Sequence, residues 1–210
     1  MGERMSENYE RPILSRYTDP LELIWLSTAK RLGMTIRRNP SIFSATDGSG
    51  LLELGPRTDL DADDTLAQMV FHEICHWVTN GKETFSERDW GFPLDVALDA
   101  REHACLRVQA WWTTPFGLRT LLAPTSTFRD YYNRIPVDPL QPMDDTEWER
   151  EVVSLATDAV KRTREEPWTG TVDRALEATR QLGVCVSPFL SDYATEFDGD
   201  VLPSMWQQME

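Results

Sequence analysis

The chain has 210 residues with 21 basic against 35 acidic side chains, a net charge of −14 at neutral pH. Neutralising phosphates needs a basic face, so this balance argues against nucleic acid as a partner, while the length is enough for one domain with a substantial core. No apolar run approaches the roughly 20 residues of a membrane span, and the start MGERMSENYERP is polar with no hydrophobic signal segment behind it, so a cytoplasmic protein without a membrane partner is expected. Cys75, Cys105 and Cys185 are odd in number and widely spaced, which fits buried free thiols better than a disulfide framework or zinc ribbon.

In chain order, Asp19-Pro20-Leu21-Glu22 predicts a helix start, with a capping aspartate, proline at the first position and a glutamate three residues after the cap. That helix should run through Trp25 and Lys30 to Gly33. Residues 35–38, 42–45 and 51–54 are short strand candidates, the last two joined by the turn Asp47-Gly48-Ser49-Gly50. A helix is expected from Thr65 to Thr79, capped by Asp63 or Asp64 and closed by Gly81. A further helix should follow from Leu94 to Trp112, with Asp95 near its start and Pro115 just past its end. Residues 113–143 are proline-rich and read as an irregular loop with one short helix over 127–133. Two amphipathic helices should close the chain, residues 144–166 stopped by Pro167 and residues 171–182 ended by Gly183. In the tail, Phe189, Tyr193, Phe197 and Trp206 are expected to be buried against the rest of the chain.

The stretch His72-Glu73-Ile74-Cys75-His76 carries the chemistry. On a helix, residues i and i+4 share a face, so both imidazoles can reach one metal ion while Glu73 stands beside it. At about 100° per residue, His72 and His76 lie within roughly 40° of each other, and Val70, Phe71, Ile74, Trp77 and Val78 occupy the opposite arc. Two histidines hold a metal weakly, so a third ligand is needed. The compact alternative with a third histidine six positions on is excluded, because Thr79 and Lys82 stand at the positions it would require. The next helix offers Asp99, Glu102 and His103. Glu102 and His103 point about 100° apart, so one of them faces the metal. Glu102 is preferred; His103 is then a solvent-facing or supporting residue, Asp99 a weaker candidate or a partner that orients a motif histidine, and Lys82 a solvated lysine close enough to the helix end to reach the cleft.

His-Glu-Ile-Cys-His-Trp at 72–77, Gly81-Lys82, Gly91-Phe92, and then Glu102 with Gln109-Ala110 and Trp112 resemble the bacterial elongation factor P hydroxylase family over about residues 66–112. The resemblance implies an iron site of two histidines and one carboxylate, here His72, His76 and Glu102, and hydroxylation of a lysine on a protein substrate, elongation factor P or another lysine-bearing protein. The connection from Gly91-Phe92 to Glu102 is shorter than in that family.

The same ligands suit two chemistries. With Fe(II), favoured here, open positions would serve dioxygen and substrate, and Glu73 would orient a bound water or amine. With Zn(II), Glu73 would be the catalytic general base of a peptidase acting on a protein or peptide. A non-catalytic, metal-stabilised binding module is a third possibility. The expected fold is α+β and mainly helical: a small antiparallel sheet against the metal-binding helix and further helices, as in metallopeptidase cores. Residues 1–12 should be a flexible N-terminus and residues 13–210 a single catalytic domain, with its metal core at about 19–112 and a helical part at 113–210.

Overall fold

The computed structural model describes residues 12, 14–15, 17–47, 49–61, 63–80, 100–196 and 206, and for 191–196 it describes the backbone alone. The fold is α+β and mainly helical. Asp19 accepts a hydrogen bond from the Leu21 amide at 2.9 Å and starts α1 (Pro20–Arg31), which ends before the left-handed Gly33. Three strands follow: β1 (Thr35–Arg38), β2 (Ser44–Thr46) and β3 (Leu51–Leu54).

β2 and β3 form the expected hairpin. Asp47 closes its turn by accepting from the amides of Ser49 at 3.0 Å and Leu51 at 2.7 Å. The sheet is not antiparallel throughout. Its order is β1-β3-β2, and β1 pairs with β3 in parallel, from Thr35 opposite Leu51 to Arg38 opposite Leu54. Residues 39–43 carry the chain from β1 past the sheet, so β3 inserts between the two earlier strands and leaves β2 at an edge. Gly55 permits this crossing: its amide donates to the Phe43 carbonyl at 2.7 Å, and a Cβ there would strike the carbonyl oxygens of Ile42 and Phe43.

The motif helix, α2 (Leu66–Asn80), has a different cap from the one expected. Thr65 and Gln68 form a reciprocal capping box: Thr65 Oγ1 accepts from the Gln68 amide at 3.1 Å, and Gln68 Oε1 accepts from the Thr65 amide at 2.7 Å. Asp64 instead accepts from the Asp61 amide and the Thr125 hydroxyl, tying the entry of α2 to the 118–128 segment. At the other end, Arg162 donates to the carbonyls of Val78 at 2.7 Å and Thr79 at 2.6 Å, satisfying acceptors that no later helical turn could reach. The helix is enclosed on almost every side. Apart from His72 and Trp77, which are half-buried, its residues from Leu66 to Asn80 are buried, so the histidine face is covered as well as the apolar arc.

The described part of the next helix is α3 (Ala100–Thr113), continued by a 3-10 turn at Thr114–Phe116. Short α4 (Arg129–Arg134) lies in the proline-rich region, and α5 (Glu147–Arg162) begins at Thr146, which accepts from the Glu149 amide. Glu149 could have completed a capping box but turns inward to the fully buried Arg107. Arg107 also donates to Tyr131 Oη at 2.8 Å and the Gln141 carbonyl at 2.9 Å, joining α3, α4, α5 and the loop before α5.

The last helix, α6 (Thr171–Glu196), does not stop at Gly183. A glycine inside a helix costs only about 1 kcal/mol relative to alanine and does not terminate it without a left-handed backbone. Even Pro188 is accommodated, because Ser187 Oγ donates at 3.0 Å to the Val184 carbonyl that the missing proline N–H leaves free. Trp25 Nε1 donates to Thr179 Oγ1 at 3.2 Å and binds α1 to α6. Of the tail aromatics, Trp206 lies against the core, whereas Phe189 is 67% exposed, contrary to expectation. The side chain of Tyr193, together with Phe197, Gly81, Lys82, Asp95, Asp99 and Gly91-Phe92, lies outside the described residues. No described helix is long and apolar enough to cross a membrane.

Candidate metal centre

Three expected residues come together where α2 crosses α3. His72 Nε2 and His76 Nε2 are 2.9 Å apart, and the Glu102 carboxylate lies 3.0 Å from His76 Nε2 and 3.6 Å from His72 Nε2. His76 and Glu102 are buried and His72 is partly open. Burial by itself would raise the Glu102 carboxyl pKa, but the imidazoles of His76, His72 and then His103 outweigh it and hold the pKa below its ordinary value.

The tautomer of His72 follows from its neighbours. Gln109 Nε2 donates to the Leu122 carbonyl, which turns Gln109 Oε1 toward His72 Nδ1 at 3.0 Å. An amide oxygen only accepts, so Nδ1 carries the proton and the Nε2 lone pair faces His76 and Glu102. That lone pair can accept a proton shared from His76 Nε2 at 2.9 Å, or, with His76 in the matching tautomer, both ring nitrogens can turn to one cation. Glu102 Oε2 is buried at the same place, and its near neighbour is the His76 ring nitrogen at 3.0 Å. Two imidazole nitrogens and a carboxylate this close together are a donor set that fits a divalent ion.

Sequence reasoning passed over a nearby donor. The Sγ of Cys105 and one ring nitrogen each of His72 and His76 lie within 4.8 Å of one another, a group that could hold a metal ion. Cys105 donates weakly to the His72 carbonyl at 3.8 Å. Burial pushes its thiol pKa well above the usual range, and Cys75, Glu102 and Glu73 act in the same direction. The available signal was its position three residues after Glu102, on the same side of a helix. Cys75 is also fully buried, and burial followed by the Glu73 charge raises its thiol pKa as well.

His103 is not solvent-facing. Its ring is enclosed edge to face by Tyr131 at 4.4 Å, Trp148 at 4.8 Å and Phe128 at 5.4 Å between centroids. Glu73 is buried and accepts a hydrogen bond from Ser44 Oγ at 2.7 Å, so the edge strand β2 reaches directly to the motif glutamate. Nothing in the sequence marked Ser44.

A pocket of about 250 Å³ opens beside these donors, and His72 and Glu102 form part of its wall. Phe43, Met69, Pro124 and Phe128 make the remainder largely apolar, with Ser44 and Gln68 among its polar points. Fold and site together define a mainly helical α+β protein with a buried histidine-rich cluster able to take a metal ion. No protein-family model, curated protein or solved structure matches the chain.

Proposed function

We propose that the chain is a metal-dependent enzyme whose ion is held by His72, His76 and Glu102, and that its chemistry is iron- and dioxygen-dependent hydroxylation of a lysine-bearing protein or a related substrate. The observation that carries this reading is the convergence of two imidazole nitrogens and a buried carboxylate on the wall of an apolar pocket. Two histidines and one carboxylate are the donor set with which Fe(II) activates dioxygen beside a bound substrate. The resemblance of residues 66–112 to elongation factor P hydroxylases points the same way.

The chain's own residues supply binding and orientation. At about 250 Å³ the pocket is below the usual range for small-molecule sites, which suits one inserted side chain, such as the aliphatic stem of a lysine, better than an extended peptide. Phe43, Met69 and Phe128 would exclude water around that stem. Gln109 holds His72 with Nε2 inward, and Ser44 holds Glu73 beside the site.

A zinc peptidase is the second reading. Its specific support is the edge strand β2, one residue of which binds the motif glutamate, an arrangement that could align a peptide and position a general base. Metal analysis of anaerobically purified protein and mass spectrometry of a lysine-containing substrate separate the readings. Iron together with one added oxygen atom on lysine is expected. Zinc with casein cleavage that is abolished by Glu73→Gln would replace hydroxylation by hydrolysis. Zinc without any activity sensitive to Glu73→Gln would favour a non-catalytic binding module.

A further inference from the structure

We propose that Cys105 is a fourth metal-ligating residue, which joins His72, His76 and Glu102 when the site takes a borderline-soft ion such as Zn(II) or Co(II). This rests on the metal-site reading above and goes beyond it, because that reading uses three ligands and leaves the cysteines as inert buried thiols.

Three observations place the thiol at the site. Its sulfur and the ring nitrogens of His72 and His76 lie within 4.8 Å of one another. Cys105 is fully buried on α3, and it follows Glu102 by three residues, so both donors approach the histidine pair from the same side of one helix. The Glu102 carboxylate stands against the same histidine pair, 3.0 Å from His76 Nε2 and 3.6 Å from His72 Nε2, so carboxylate and thiol both border the two ring nitrogens. The sulfur's one described hydrogen bond, to the His72 carbonyl, is long and weak, so little is lost when it turns to an ion.

The chemistry balances simply. On binding, the Cys105 S–H bond breaks, its proton passes to solvent, and the sulfur electron pair forms the bond to the metal. Softness then makes the site selective: thiolate sulfur favours zinc and cobalt, whereas the Glu102 carboxylate is a harder donor suited to Fe(II). One helical turn would therefore offer ligands of two kinds to the same pair of imidazoles. With zinc, all four donors close the coordination shell; with iron, the thiol stays aside and positions remain open.

X-ray absorption at the zinc edge of the full chain loaded with one equivalent of zinc tests this. A sulfur scatterer at about 2.3 Å is expected in the unmodified protein and in Cys75→Ser, and it should disappear in Cys105→Ser. Cobalt substitution should show a near-ultraviolet sulfur-to-metal charge-transfer band with the same dependence. Because the first measurement uses the unmodified chain, misfolding of a variant does not blunt it. Zinc bound through nitrogen and oxygen alone overturns the role of Cys105 and leaves the three-ligand site standing. Sulfur ligation that persists in Cys105→Ser overturns it as well. Failure of the chain to bind zinc or cobalt at all overturns the three-ligand reading with it.

Discussion

The side-chain amide of Gln109 determines which ring nitrogen of His72 faces the pocket. Its nitrogen is committed to the Leu122 carbonyl, and its oxygen accepts a hydrogen bond from His72 Nδ1 at 3.0 Å. Gln109→Leu should remove that anchor while keeping the side chain's bulk. Metal affinity is expected to fall about 10- to 100-fold, the usual effect of losing a group that orients a ligand. A chelator-competition titration reads the difference, and equal affinity in Gln109→Leu would show that His72 needs no such support.

Glu102 and His103 are neighbours with opposite roles, and their alanine variants should separate cleanly. Glu102→Ala should strip most of the metal. His103→Ala should keep it but lose about 2–4 kcal/mol of stability, because it opens a cavity among Phe128, Tyr131 and Trp148. Elemental analysis beside urea denaturation gives both readouts. Metal loss in His103→Ala and retention in Glu102→Ala would reverse the assignment.

The Arg107–Glu149 pair is buried at both ends and joins α3 to α5. Arg107→Ala leaves the Glu149 carboxylate buried without its guanidinium, at an expected cost of about 3–5 kcal/mol. Replacing both with methionine should cost much less, since no charge is then stranded. Denaturant midpoints of the single and double variants check this, and additive losses would contradict it.

Gly55 governs the shape of the pocket wall from a distance. A methyl group there meets the carbonyl oxygens of Ile42 and Phe43, so the backbone leading into β2 must move. Gly55→Ala should destabilise the protein by about 1–3 kcal/mol, as overpacking does, and displace Phe43 and Ser44 from the pocket. Thermal denaturation measures the first effect. Amide exchange over residues 42–46 measures the second and should accelerate.

Stability at high pH depends on Tyr131 and Tyr132. Burial pushes both phenols up to about 12 from 10, against smaller lowering effects that include the Arg107 charge at Tyr131 and the Thr113 hydrogen bond at Tyr132. A folded-state pKa above the unfolded one gives stability that is complete below pH 10 and is lost as pH rises through 10 to 12. For Tyr132 two units correspond to about 2.7 kcal/mol. Spectrophotometric titration should show Tyr131 and Tyr132 ionising late, together with unfolding. Their ionisation near pH 10 in a folded protein would refute the claim.

The amino-acid order by itself determined the features that are satisfied within a few residues. Asp19 before Pro20 starts α1, the Asp47–Gly50 turn makes a hairpin, and the four-residue spacing puts His72 and His76 side by side. Local hydrogen bonding and helical periodicity suffice for each. Where two local solutions compete, the sequence is less decisive. Thr65 with Gln68 caps α2 although Asp63 and Asp64 stand beside it, and α6 runs through Gly183 because no left-handed turn is imposed there.

Only the tertiary structure decided the rest. The angle at which α3 crosses α2 turns Glu102 toward the histidines and His103 into an aromatic enclosure, a choice that two adjacent residues on one helix cannot express alone. The same crossing brings Cys105 to the pair, and insertion of β3 between β1 and β2 places Ser44 on Glu73. These contacts join residues far apart in the chain, and their geometry is set by how buried surfaces fit together, which no short-range pattern encodes.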